Sequence, residues 1–70
     1  MRISDLQTKD IVSIKDGRRL GKIVDIVITT EGTINYFVIE QRGFFGSRDE
    51  VNVYMNQIKK IGEDVILVEI

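Results

Sequence analysis

Short apolar runs separated by polar turn residues dominate the hydrophobic pattern of this chain. The first three runs cover residues 11–14, 20–30 and 33–41. They are rich in Ile, Val and Thr, whose β-branched side chains favour strands. Gly17 follows an Asp in the first break and Gly32 follows a Glu in the second, and glycine readily adopts the positive φ that tight hairpin turns need. The pattern predicts three consecutive strands that form an antiparallel meander.

The second half of the chain repeats this pattern in shorter pieces. Residues 51–54 alternate between apolar and polar side chains, as a half-buried strand does. Gly62 separates the apolar segments 57–61 and 65–70. About six short strands joined by closely spaced turns are typical of a small barrel or sandwich. We therefore predict an all-β fold in which a single domain spans residues 1–70.

The residues before the first strand predict no more than one helical turn. Ser4 is followed three residues later by Gln7, which matches a capping box. The pattern is too short for a lasting helix, so we expect a structured entry into the first strand.

The strand at 33–41 carries apolar residues on both faces. Side chains alternate along a strand, so Ile34, Tyr36 and Val38 face one way while Phe37 and Ile39 face the other. A barrel has one interior, and the second apolar face must therefore be covered by something else. The N-terminal segment, the irregular loop that follows this strand and a second subunit are the alternatives. We expect a homodimer.

Asp25 interrupts the apolar run at 20–30. A buried or edge carboxylate inside a strand usually accepts hydrogen bonds from backbone N–H groups. A catalytic or metal-binding role would need convergent polar partners, and the sequence offers none that are obvious. We therefore expect a backbone hydrogen bond at Asp25.

Composition narrows the classes of function. Ten basic and eleven acidic residues give a formal net charge of −1, whereas proteins that bind nucleic acids non-specifically are usually strongly basic. The chain contains neither cysteine nor histidine. It therefore lacks disulfides, thiol ligands and the side chain most used in acid–base catalysis. We expect a protein that is not an enzyme and that binds no cofactor and no metal.

The beginning of the chain has no apolar stretch of the kind that signal peptides contain. No apolar run approaches the roughly 20 residues that a membrane helix requires. Together with the lack of cysteine, this pattern favours a cytoplasmic protein that has no membrane partner.

Three segments together resemble the PRC-barrel domain family. "DIVSIKDGRRLGKIVDIVI" is similar to the opening of these domains, and "FFGSRDE" resembles their Phe-Gly loop with charged residues after it. "QIKKIGEDVILVEI" looks like the end of the small sporulation-associated members, the YlmC/YmxH type. The resemblance covers nearly the whole chain. It departs at Thr8, where the family usually has Gly, and at Tyr54-Met55, where it usually has Pro-Trp.

The resemblance implies a small, strongly bent β-barrel of antiparallel strands. Other PRC-barrel domains occur in the H subunit of photosynthetic reaction centres and in the ribosome-maturation factor RimM, where the domain contacts a ribosomal protein. The implied function is a non-catalytic protein-interaction or scaffold module in a bacterium, associated with sporulation. The alternative is an RNA- or ribosome-associated maturation factor similar to RimM.

The segment "KDGRRLGK" at 15–22 holds two glycines and four basic residues. A Walker loop would need Ser or Thr after its Gly-Lys pair and a helix after that. Here Ile23 and a strand follow, so we expect a hairpin tip that exposes Arg18 and Arg19, with Gly21 at a bulge or close backbone approach. The two arginines are either solvated charges or contacts for an acidic partner or RNA.

Phe44 and Phe45 are adjacent in a glycine-flanked loop, and Arg42 and Arg48 lie on either side of them. One phenylalanine is expected to plug the barrel end, and the other to cover the second apolar layer or to meet a partner. Aromatic residues and arginine are typical anchors of protein interfaces. The candidate partner-binding residues are therefore Phe44, Phe45, Arg42, Arg48, Arg18 and Arg19.

Overall fold

The computed structural model describes the backbone of residues 1–42 and 48–70, and the side chains of residues 1–41 and 49–70. A short helix, α1 (Ile3–Gln7), precedes the strands. The strands are β1 (Asp10–Ser13), β2 (Arg19–Ile28), β3 (Ile34–Arg42), β4 (Arg48–Tyr54), β5 (Ile58–Ile61) and β6 (Val65–Val68). A single 3-10 turn (Met55–Gln57) joins β4 to β5. The predicted all-β fold with a brief N-terminal helical turn is confirmed.

The strands form one six-stranded sheet in the order β4-β3-β2-β1-β6-β5. The predicted meander is present, since β1 to β4 are sequential antiparallel neighbours. One pair differs from the all-antiparallel expectation, because β1 and β6 run parallel with Asp10 opposite Val65. The reason is that β6 arrives from the β5–β6 hairpin and enters beside the start of β1, where the Asp10 N–H donates to the Asp64 carbonyl at 3.0 Å.

The sheet is not closed within the described residues, because the edge strands β4 and β5 form no ladder with each other. The 3-10 turn nevertheless joins these two edges directly. A connection of only three residues keeps one end of β4 close to one end of β5. The edge strands β4 and β5 therefore lie close together at that end. Because they are not paired, the sheet forms an incomplete barrel.

The hydrophobic core lies on one face of the sheet. Its buried members are Ile11, Leu20, Ile23, Phe37, Ile39, Val53, Ile66 and Val68. Phe37 and Ile39 share this inner face, as their alternation predicts. Leu6 of α1 and Ile58 of β5 pack against the same cluster. The N-terminal segment thus packs against the core.

Gly21 allows β2 to pass unusually close to β3. Its φ is +138°, a region that side-chain-bearing residues rarely adopt. A Cβ atom added there would collide with the carbonyl oxygen of Glu40 and would lie 3.1 Å from Cγ2 of Ile39. The β1–β2 register also shifts beside this glycine. The predicted bulge and close approach at Gly21 are confirmed.

A second irregularity lies in β2 at Val24. Ile23 pairs with Ile39, but the next pair joins Asp25 to Val38, so Val24 is the extra residue. Asp25 accepts a hydrogen bond from the Ile26 N–H at 2.8 Å and is exposed. The predicted backbone hydrogen bond is present, and it stabilises the bulge locally.

The cap of α1 differs from the sequence prediction. The N-cap residue is Arg2, whose backbone N–H donates to Oδ2 of Asp5 at 2.9 Å. The sequence placed the capping box at Ser4 and Gln7, and this prediction is wrong by two residues. The carboxylate of Asp5, in the first turn, accepts the hydrogen bond from the Arg2 N–H instead. None of the helices in the described part of the chain has the length and apolar character needed to cross a membrane.

Candidate functional site

The turn between β1 and β2 is held in a defined shape by hydrogen bonds. The Gly17 N–H donates to the Ser13 carbonyl at 2.8 Å, and the Ser13 N–H donates to the Arg18 carbonyl at 2.9 Å. The Arg18 N–H donates to Oδ1 of Asp16 at 3.0 Å. Gly17 has a φ of +68°, so the predicted Asp-Gly turn is confirmed. The turn places Arg18 and Arg19 at an exposed tip.

A groove of about 290 Å³ opens beside this tip. It is lined by Arg18, Arg19, Leu20, Gly21 and Gln41. Leu20 is a buried member of the core, so it and Gly21 contribute an apolar wall. Gln41 comes from the far end of β3. The groove therefore lies between the basic hairpin tip and the end of β3, which the close approach at Gly21 brings together.

The cations at this end differ in their partners. Nε of Arg19 lies 3.7 Å from Oδ2 of Asp10, and Nζ of Lys22 lies 4.0 Å from Oδ1 of the same aspartate. Lys22 also donates to the Thr8 carbonyl at 3.3 Å. Within the described part of the chain, the Arg18 guanidinium has neither an ion-pair nor a hydrogen-bond partner. Of the two arginines that line the groove, Arg18 is therefore the more available to a ligand.

Two of the remaining sequence-predicted site residues, Arg42 and Arg48, have described backbones, and these lie at the same end of the sheet. Arg42 directly follows the groove residue Gln41, and its backbone pairs in register with Arg48. The side chains of these two arginines lie outside the described residues, as do Phe44 and Phe45 entirely. The structure thus brings Arg18 and Arg19 together in one groove and places the backbones of Arg42 and Arg48 nearby.

A second surface lies on the side of β2, β3 and β4 that points away from the core, and we call it the outer face. Register and alternation assign to it the side chains of Lys22, Asp25, Val27, Ile34, Tyr36, Val38, Glu40, Glu50, Asn52 and Tyr54, and the bulge residue Val24 lies beside Asp25. The rings of Tyr36 and Tyr54 pack together with centroids 5.0 Å apart and planes tilted by 54°. Such a tilted pair is a favourable aromatic arrangement.

The outer face is mixed, since Val38 on its middle strand is buried and Asp25 and Asn52 are exposed polar residues, but part of its apolar surface stays exposed. Val24 is 43% exposed and Tyr54 is 45% exposed. The sequence pattern assigned Tyr36 and Val38 to this second apolar face, but it missed Val24 and Tyr54 as candidate contact residues. The alternation of side chains in "VNVY" at 51–54 was the signal that could have placed Tyr54 on the opposite face from Val51 and Val53. Only the pairing of β3 with β4 places it beside Tyr36.

These two surfaces offer side chains that can contact a ligand or a partner. Guanidinium groups bind carboxylates or phosphates, and the outer face offers aromatic and aliphatic contact area. Among residues 1–41 and 49–70, no three carboxylate side chains are grouped so that they could hold a metal ion.

Comparison with known proteins gives consistent matches along the whole chain. The family model of the PRC-barrel domain matches residues 1–70. The chain is 42% identical over 73 residues to the probable sporulation protein YlmC of Bacillus subtilis, covering 97% of this chain and 90% of that protein. It is 36% identical over 76 residues to the uncharacterized protein YmxH of the same organism, covering 100% and 89%. An uncharacterized protein of Clostridium acetobutylicum is 33% identical over 73 residues, covering 94% and 80%.

Proposed function

The chain belongs to the PRC-barrel domain family, and from this premise we propose that it is a small non-catalytic protein-interaction or scaffold module. The observation that carries the proposal is the outer face, where aromatic and aliphatic side chains stay partly exposed although the core is complete on the opposite face. Exposed apolar patches of this kind are typical of binding surfaces.

The first partner we propose for the outer face is a second copy of the chain. A domain of this size buries only about 60% of the surface that its unfolded chain exposes, and association is a common way for small domains to bury more. In a two-fold dimer the same patch contributes from both copies. The apolar centre formed by Tyr36, Tyr54 and Val24 would then be covered on each copy.

The cellular role we propose is in sporulation, in the cytoplasm. It is supported by the similarity to YlmC, whose name describes a probable sporulation protein. A homodimer with a second contact surface is suited to a scaffold, because it presents that surface twice.

Substitutions on the outer face test the dimer. We expect the wild-type chain to show a monomer–dimer equilibrium in sedimentation equilibrium between micromolar and millimolar concentrations. Val24→Ser and Tyr54→Ser are each expected to weaken dimerisation by about tenfold, since each removes apolar contact area worth about 1.4 kcal/mol. The matched control is Ile61→Ser on β5, because Ile61 is 43% exposed, as Val24 is.

The control should dimerise like the wild type. A wild-type chain that sediments as a monomer up to millimolar concentration contradicts the dimer. An Ile61→Ser variant that dissociates as readily as Val24→Ser contradicts the assignment of the interface to the outer face.

RNA or ribosome association is the second candidate function, and the clustering of arginine positions beside the groove is the observation that favours it. Recovery of the tagged chain from native cell lysate, with and without nuclease, separates the two candidates. The interaction module predicts a protein partner that survives nuclease. The second candidate predicts ribosomal material that is lost on nuclease treatment. The amount recovered should fall as the salt concentration rises, and it should also be lower for the Arg18→Glu/Arg19→Glu double variant.

A further inference from the structure

We propose that the groove lined by Arg18, Arg19, Leu20, Gly21 and Gln41 binds a short acidic segment of a partner protein. The two arginines hold its carboxylates, and the apolar wall contacts the aliphatic part of the acidic side chain. This inference rests on the proposed interaction role. It concerns a different surface from the outer face, so the two are tested separately.

The charges of the groove select an anionic ligand. Arg18 has no partner among the described residues, so its guanidinium donors are available. Arg19 touches Asp10 only through Nε, at a separation of 3.7 Å and with 74% of its side chain exposed. A planar guanidinium matches a carboxylate in a two-pronged geometry. Two arginines that line one groove therefore fit a segment with two nearby carboxylates.

The groove is shaped before any ligand arrives. The hydrogen bonds of the Gly17 and Arg18 N–H groups fix the hairpin tip, and the close packing of β2 on β3 at Gly21 fixes the opposite wall. Recognition groups that are already in position lose less conformational entropy on binding. The arginine backbones therefore need no rearrangement, and only their side chains have to order.

The size and polarity of the groove favour a peptide side chain. Its volume of about 290 Å³ is near the lower end of typical ligand pockets. One or two amino-acid side chains fill such a volume. The wall formed by Leu20 and Gly21 suits the methylene groups of glutamate, while the amide of Gln41 offers a further hydrogen-bond donor.

An acidic peptide fits these features better than a nucleic acid does. Only two arginines line the groove in the described part of the chain, and the whole chain has a net charge of −1. Non-specific nucleic-acid binding needs many neutralised phosphates.

Nuclear magnetic resonance titration of the full ¹⁵N-labelled chain tests the proposal. A hexaglutamate peptide, a hexalysine peptide and a decauridine RNA serve as probes. We expect hexaglutamate to shift the backbone amide resonances of residues 18–21 and Gln41, and hexalysine to leave them unchanged. Arg18→Glu should weaken hexaglutamate binding by about tenfold, as the loss and reversal of one charged contact does.

The charge-matched control is Lys60→Glu on β5, an exposed cation outside the groove, and it should bind hexaglutamate as the wild type does. The dispersion of the amide spectrum shows that each variant is folded. Shifts that centre away from the groove, an equal loss in Lys60→Glu, or no binding at millimolar peptide would overturn the proposal. Tighter binding of decauridine than of hexaglutamate at these residues would also overturn it, in favour of the second candidate function. Any of these outcomes leaves the dimer test on the outer face unaffected.

Discussion

Gly21→Ala is expected to lower the free energy of unfolding by about 3 kcal/mol, because two separate costs combine at this position. The φ of +138° is a strained conformation for alanine, which costs about 1–3 kcal/mol. The new Cβ would also collide with the Glu40 carbonyl. That atom belongs to the backbone of the central strand β3, so it cannot move without disturbing the sheet.

Urea denaturation followed by circular dichroism measures this loss, and the melting temperature should fall by about 12–24 °C for a domain of this size. Gly17→Ala is the matched control. Gly17 also has a positive φ, +68°, but no atom lies within 4 Å of an added Cβ. Its cost should be only the conformational strain, about 1 kcal/mol. Equal losses in the two variants would show that the close approach of β2 to β3 has no energetic consequence.

Lys9→Met is expected to lower the free energy of unfolding by about 2–3 kcal/mol. Lys9 is only 8% exposed, and its Nζ donates to the carbonyls of Gly62 at 2.7 Å and Glu63 at 2.5 Å. Hydrogen bonds from a charged group contribute about 1.5–3 kcal/mol. Methionine keeps the apolar part of the side chain but removes both donors. The β5–β6 turn would then lose its tie to the segment that enters β1.

Lys59→Met provides the comparison for the same chemical change at an exposed site. Lys59 pairs with Glu69 at 3.1 Å, with the two side chains 46% and 51% exposed. Exposed ion pairs contribute about 0–1 kcal/mol, so this variant should be nearly neutral in the same urea experiment. A Lys9→Met variant that is as stable as Lys59→Met would contradict the structural role of the buried lysine.

Both stability predictions bear on the proposed function. Gly21 lines the groove and sets the distance between its two walls, so a change there alters the groove as well as the fold. Lys9 lies outside both proposed binding surfaces. Reduced hexaglutamate binding by folded Gly21→Ala, together with normal binding by folded Lys9→Met, would fit the position of the groove.

The strands were predictable from the sequence because each is a β-branched run bounded by a turn residue. Asp16-Gly17 and Glu31-Gly32 turn the chain as expected, with positive φ at both glycines. The cap of α1 was misplaced because several residues near the N-terminus can accept a hydrogen bond. Arg2 does not have the side chain of a usual N-cap, so pattern matching passed over it.

The candidate site was predictable only in part. Arg18 and Arg19 follow from the hairpin, since residues next to a turn are exposed. Their neighbour Gln41 is distant in the sequence and reaches the groove only through the pairing of β2 with β3. Tyr54 and Val24 were missed for the same reason, because a residue's place on a shared face depends on register and on bulges.

The sequence by itself determined the all-β class, the strand segments, the tight turns and the presence of a second apolar face, because these depend on side-chain periodicity and on local backbone preferences. Only the tertiary structure decided the parallel pairing of β1 with β6, the open sheet, the burial of Lys9 and the groove beside Arg18. These features join residues that are far apart along the chain. Their energies come from packing and hydrogen bonds between strands, which no local pattern encodes.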